Sequence, residues 1–253
     1  MIRKAVLVFW ALLVCTNAYA AHPLITDDTG TQGKGKTQFE FIAEYEHDSE
    51  DGVSSNSLTA PTLPVISYGL TDTMDLVLGI SYLSVRTKED GETSREKGIS
   101  DTSLEVKWRF YEKDGLSFAL KPGITLPTGD EDKGLGAGRV TYGVFLIGTK
   151  EMKPWAVHVN AGYLRNENKV EERKDLWHAS LAAEVAVLKD LRAVANIGVE
   201  RNPDPALSTA PAFILGGLIY SLSENIDLDA GIKGGLNRPE ADYAVLAGIT
   251  VRL

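Results

Sequence analysis

The sequence predicts an all-β protein: a single transmembrane antiparallel up-and-down β-barrel of about twelve strands. Three observations predict it. Apolar residues recur at period two over nearly the whole chain, which is the strand period and not the helical one. The alternating stretches run to ten residues or more, enough to cross a bilayer at a tilt. Short turns alternate with longer polar connections, which puts turns on one rim and loops on the other.

The start of the chain is a processing signal. Arg3 and Lys4 precede an apolar run from Ala5 to Cys15, and Ala18-Tyr19-Ala20 offers a small-x-small cleavage site. This reads as a Sec-type leader over residues 1–21, cut after Ala20 or Ala21. The single cysteine, Cys15, lies inside it, and Val14 before it is too large for a lipoprotein signal. The mature chain then has no thiol, which removes disulfides and thiolate metal sites. Loss of Arg3 and Lys4 takes the net charge from −9 to −11. An acidic chain excludes nucleic acid as a partner, because phosphate binding needs a basic stripe.

Residues 22–36 are polar, rich in Gly and Thr, and read as a periplasmic tail or a plug folded into the lumen. The barrel occupies residues 37–253. Strand one is Thr37 to His47, with Phe39, Phe41, Ala43 and Tyr45 on one face and Gln38, Glu40, Glu44 and Glu46 on the other. Asp48 to Ser57 is expected as a polar loop. Strand two spans Ala60 to Gly69, and strand three Thr73 to Arg86. Thr87 to Gly98 is expected as a charged loop. Strand four, Ile99 to Tyr111, sets Leu104, Val106, Trp108 and Phe110 against Ser103, Glu105, Lys107 and Arg109. Asp114-Gly115 tolerates positive φ and makes the next turn. Strand five is Leu116 to Pro127, followed by a loop to Gly138. Strands six and seven are Arg139 to Thr149 and Pro154 to Arg165, with a loop from Asn166 to Lys174. Strands eight and nine are Asp175 to Leu188 and Leu191 to Glu200. After an Arg201 to Leu207 loop comes strand ten, Ser208 to Leu222. The closing hairpin alternates Ile226, Leu228, Ala230, Ile232 with Asp227, Asp229, Gly231, Lys233, and returns through Tyr243 to Leu253.

Two other all-β architectures compete. A soluble sandwich alternates too, but its strands are usually near five or six residues. A lipocalin-like barrel turns its apolar face inward and has about eight strands. Here Tyr45, Tyr68, Tyr82, Trp155, Tyr163, Trp177, Tyr220 and Tyr243 sit near strand ends, as in an interfacial girdle.

Three stretches resemble a known family. They are the opening His22-Pro23-Leu24-Ile25-Thr26-Asp27-Asp28-Thr29-Gly30-Thr31, the strand Gly98-Ile99-Ser100-Asp101 through Phe110, and Pro122-Gly123-Ile124-Thr125-Leu126-Pro127-Thr128-Gly129-Asp130. Together they are similar to the phenol-degradation meta-pathway outer-membrane transporter family. Ser100 stands where that family has glycine, and Leu253 where many outer-membrane barrels end in Phe. The resemblance implies a Gram-negative outer-membrane barrel passing small molecules, aromatic or hydrophobic ones among them. Its expected partners are outer-membrane lipid, lipopolysaccharide, small solutes and, through the C-terminal strand, the barrel-assembly machinery.

Alternation places Glu40, Glu44, Asp75, Glu105, Lys107, Arg109, Lys121, His158, Glu184, Arg192, Glu200, Asp227, Asp229, Lys233 and Arg252 in the lumen. Charges there must pair or meet water, or form a lining that selects solutes. The signs are mixed, so strong ion selectivity is not expected. If residues 22–36 form a plug, Asp27 and Asp28 would meet Arg109, Lys121 or Arg252. His178-Ala179-Ser180 with Glu184 is the one enzyme-like constellation, similar in spacing to the His-x-Ser of outer-membrane lipid A deacylases. It faces the lumen, away from lipid. Asp27-Asp28 and Asp130-Glu131-Asp132 lack calcium-loop spacing, and Gly33-Lys34-Gly35-Lys36 lacks the strand and helix that a phosphate loop needs. No catalytic residue, metal or cofactor is expected. A non-transporting scaffold or adhesin acting through its loops is the alternative function, and a lipid hydrolase the third.

Overall fold

The computed structural model describes residues 22–50, 52–61, 64–89 and 91–253; the leader predicted over residues 1–21 lies outside them. Fifteen strand segments form one sheet. They are β1 (Thr37–Glu50), β2 (Val53–Pro61), β3 (Val65–Thr71), β4 (Met74–Gly79), β5 (Ser81–Glu89), β6 (Glu92–Ile99), β7 (Thr102–Lys113) and β8 (Leu116–Leu126). They continue as β9 (Thr141–Met152), β10 (Trp155–Arg165), β11 (Asp175–Leu188), β12 (Leu191–Glu200), β13 (Ala212–Ser223), β14 (Ile226–Gly235) and β15 (Tyr243–Arg252). Three pairs, β2/β3, β4/β5 and β6/β7, are each one long strand with a local interruption. The wall therefore has twelve staves, all antiparallel to their neighbours. It closes where β1 pairs with β15, from Gln38 opposite Arg252 to His47 opposite Tyr243. Closure removes the edges that an open sheet would leave to pair elsewhere.

The burial pattern is that of a transmembrane barrel. Along β1, Glu40 is 1% exposed and Phe41 44% exposed. The same inversion recurs at Lys107 against Trp108 and Asp229 against Leu228. Polar side chains face in and apolar ones out, the reverse of a soluble barrel, because hydrocarbon and not water is the outer solvent. Tyr45, Tyr142, Tyr163, Trp177 and Tyr243 are exposed towards the long-loop rim, and Tyr68, Trp108, Trp155 and Tyr220 towards the other.

Two expected loops are corrected. Within Asp48 to Ser57, β1 continues to Glu50 and β2 begins at Val53, with Glu46 opposite Ser57 and Glu50 opposite Val53. Within Thr87 to Gly98, β5 runs to Glu89 and β6 starts at Glu92. Both faces of these extensions are wet, so nothing selects an apolar alternation, yet the backbone ladder still forms. Smaller shifts occur at β9, which starts at Thr141, and β13, which starts at Ala212.

The remaining loops are folded down and tied together. Asp101 accepts hydrogen bonds from Gly129 N and Ala137 N at 2.9 and 2.8 Å, and so pins the 127–140 loop to the wall. Leu135 from that loop is buried with Leu83 and Val85. Lys169 N donates to Ala137 O. The Arg173 guanidinium donates to the carbonyls of Asn202, Asp204, Pro205 and Leu207. Three loops thus form one cap. Asp114 and Gly115 both have positive φ at the opposite rim.

Candidate functional site

The candidate site is the lumen, and residues 22–36 lie inside it. The segment leaves β1 at the short-turn rim. There Gly35 N donates to Gly69 O, Lys34 N to Asp72 Oδ1 at 3.1 Å, and Gln32 N to the Asp75 carboxylate at 3.0 Å. Thr29 N then donates to Thr149 Oγ1 at 3.1 Å, and His158 Nδ1 shares that hydroxyl at 2.9 Å.

Asp27 is the electrostatic centre. Lys107 Nζ, from β7, donates to Oδ1 at 2.8 Å, and Lys121 Nζ, from β8, to Oδ2 at 2.9 Å. Asn160 on β10 adds a two-point clamp on the Asp27 backbone, accepting from its N–H and donating to its carbonyl, both at 2.8 Å. Burial works to raise the Asp27 pKa, but the two ammonium groups outweigh it and hold the carboxyl below the usual range. Asp28 lies 3.8 Å from Lys107, and Glu105 3.6 Å from Lys121. Arg109 turns instead to Glu112 at 3.1 Å, and Arg252 to Asp227 at 2.8 Å. The expected meeting of Asp27 with Arg109 or Arg252 is therefore replaced by Lys107 with Lys121.

Beyond Asp27 the lumen wall changes character. Asn196 Oδ1 accepts from Ile25 N and Thr26 N at 2.8 and 2.9 Å, and Thr26 Oγ1 donates to Ser180 Oγ at 2.7 Å. Leu24 then packs in an apolar patch with Val194, Phe213, Leu215, Ile219 and Leu246. Pro23 fits against β13 and β14 because Gly217 and Gly231 are glycines; a Cβ there would stand 2.6 and 2.9 Å from the proline ring. His22 Nδ1 meets Asp229. The segment thus matches the wall it crosses, charged where the wall is charged and apolar where it is apolar.

The other predicted lumen residues fall into separate groups. Lys233 lies within 3.1–3.7 Å of Glu240, Glu46 and Glu44. Glu184, Arg192, Asp227 and Arg252 form a chain of pairs at 2.8, 3.4 and 2.8 Å near the short-turn rim. Glu40 is buried, and its Oε1 has no hydrogen-bond partner among the described residues. The enzyme-like trio does not converge. His178 pairs with Glu200 at 3.2 Å, Ser180 takes the Thr26 hydroxyl, and Glu184 pairs with Arg192.

Open space flanks the segment. On the short-turn side a cavity of about 490 Å³ is lined by Gln32, Arg192, Asp227 and Arg252, and another of about 320 Å³ by Arg109, Glu151 and Trp155. Towards the loops a smaller one of about 50 Å³ is lined by Phe145, Leu164, Leu176 and His178. Sequence reasoning missed Asn160, Asn196 and the apolar patch. The asparagines were signalled only by their place in the inward set of their strands.

Comparison with known proteins follows this geometry. Residues 23–253 match the family described as "Putative MetA-pathway of phenol degradation". The COG4313 outer membrane channel from Pseudomonas putida F1 superposes with a TM-score of 0.69 at 14% identity, over 89% of this chain and 98% of that one. The NanC porin gives 0.55 at 9% identity, over 85% and 100%. The beta domain of the Bordetella autotransporter BrkA gives 0.55 at 14% identity, over 87% and 100%. At these identities the likenesses establish the barrel fold. No protein with a curated description matches the sequence.

Proposed function

The chain belongs to the phenol-degradation family matched above, and on that premise we propose that it is an outer-membrane channel for small molecules, held closed by its own residues 22–36. The observation that carries this reading is the way the segment divides an otherwise hollow, polar-lined barrel. It is not part of the wall, it is held by side-chain contacts, and cavities remain on both sides of it. The wall it covers has a charged half around Lys107 and Lys121 and an apolar half around Phe213, Leu215 and Leu246. Such a lining suits solutes with an apolar body and a polar substituent, small aromatic compounds among them.

The test uses the absence of cysteine in residues 22–253. Thr26 and Ser180, whose hydroxyls lie 2.7 Å apart, are replaced together as T26C/S180C. The oxidised protein in liposomes should exclude a small aromatic tracer, and reduction should restore the uptake of the parent chain. Equal uptake before and after reduction, with the disulfide shown to form, would contradict the proposal.

A further inference from the structure

The outward face of the wall beyond the lipid-facing band carries charge of one sign only. Leu58, Tyr82 and Ile99 are the last apolar residues on the outward faces of β2, β5 and β6. Beyond them the same face presents Asn56 and Ser54 on β2, Ser84, Arg86 and Lys88 on β5, and Lys97, Arg95 and Thr93 on β6. Arg86, Lys88, Arg95 and Lys97 are all exposed. Arg95 Nη2 reaches Ser84 Oγ at 3.5 Å across the ladder, which places both on one face. The acidic residues of these extensions, Glu46, Asp48, Glu50, Glu89, Glu92 and Glu96, all have the opposite parity and point inward.

This segregation has a cost. Arg86 stands directly opposite Arg95, an arrangement that destabilises an antiparallel pair unless something anionic lies over it. No ion pair to any of the four cations forms among the described residues. Elsewhere on the same rim Arg165 is neutralised by Glu167 and Asp175 at 2.8 and 2.9 Å. A basic patch without internal counter-ions is also against the trend of a chain whose net charge is −9.

Height identifies the occupant. Lys97 is two residues past the apolar line, Arg86 and Arg95 four, and Lys88 six. At about 3.3 Å per residue along a tilted strand this spans roughly 5 to 15 Å above the hydrocarbon edge. That is where lipid headgroups lie. We propose that this face binds the phosphates of the anionic glycolipid of the outer leaflet, lipopolysaccharide, with Arg86 and Arg95 as paired phosphate forks. Ser84, Asn56 and Thr93 supply neutral donors around them. The site rests on the outer-membrane placement proposed above.

The test is retention of lipid A by the folded chain in nanodiscs, counted by native mass spectrometry after mild delipidation. Phosphorylated lipid A is compared with lipid A stripped of both phosphates. The variant R86Q/K88Q/R95Q/K97Q keeps size and removes charge, and E92Q/E96Q on the inward face serves as control. The parent and the control should retain phosphorylated lipid A, and the quadruple variant should bind it on the order of 100-fold more weakly. The parent should not retain the dephosphorylated form. Equal retention by the quadruple variant, or retention that ignores the phosphates, overturns the site. A parent chain that forms no heat-modifiable barrel in any bilayer overturns the outer-membrane reading itself, and the two failures are distinct.

Discussion

Replacing Asp27 by Asn should open the channel. The side chain keeps its size but loses the charge that two buried lysines share at 2.8 and 2.9 Å. Lys107 is then left with Asp28 at 3.8 Å, and Lys121 with Glu105 at 3.6 Å, both beyond hydrogen-bond length. Removing one partner of a buried ion pair costs about 3–5 kcal/mol, mostly because the other charge stays desolvated. The cost falls on docking of residues 22–36 and not on the wall, since Asp27 pairs with no strand backbone. At about 1.4 kcal/mol per decade, the ratio of undocked to docked segment should rise on the order of 100- to 1000-fold. Single-channel recording in planar bilayers reads that ratio as open probability, and retained heat-modifiability shows that the barrel is intact. If D27N has the open probability of the parent while deletion of residues 22–36 opens the pore, the Asp27 clamp is not what holds the segment.

Other perturbations give distinct readouts. G217L should push Pro23 out of its seat and raise open probability without altering the charged clamp, because a Cβ alone would stand 2.6 Å from the ring. R173A removes donation to four loop carbonyls; trypsin should then cut within residues 201–211 while the barrel's melting temperature moves little. Burial pushes the Glu172 carboxyl up to about 9. The folded cap therefore holds a proton that the unfolded loop releases near its ordinary value of 4.5. Its contribution is complete below that value and fades as pH rises through about 9. Protease resistance of the loops should follow the same course, and E172Q should flatten it. Asp27 has the opposite sign: its lowered pKa keeps the clamp intact until pH falls below the ordinary carboxylate range, so open probability should not change between pH 7 and pH 5.

What could be read from the sequence follows from which solvent each residue meets. Within the hydrocarbon the two faces of a strand meet opposite environments, so Phe41 against Glu40 and Trp108 against Lys107 declare inside and outside at once. Beyond it both faces are wet, and Ser54 to Ser57 and Glu92 to Lys97 look like loops although they are strands. On β13 both faces are apolar, Phe213, Leu215 and Ile219 inward and Ile214, Leu218 and Tyr220 outward. Alternation there hides the patch that receives Leu24. Period two places Lys107, Arg109 and Lys121 in the lumen, but not the height at which Asp27 meets them. Arg109 is one pleat nearer the short-turn rim than Lys107 and so takes Glu112 and the Asp72 carbonyl. Side-chain amides such as Asn160 and Asn196 carry no charge to mark them, yet they make some of the closest contacts to the segment.

The most direct test of a channel closed by its own N-terminal segment is the single-channel conductance of residues 22–253 set against residues 37–253, both refolded into planar bilayers. The shorter chain should give steady openings of larger conductance, because the cavities on either side of Asp27 become continuous. Two folded barrels with the same conductance would contradict it.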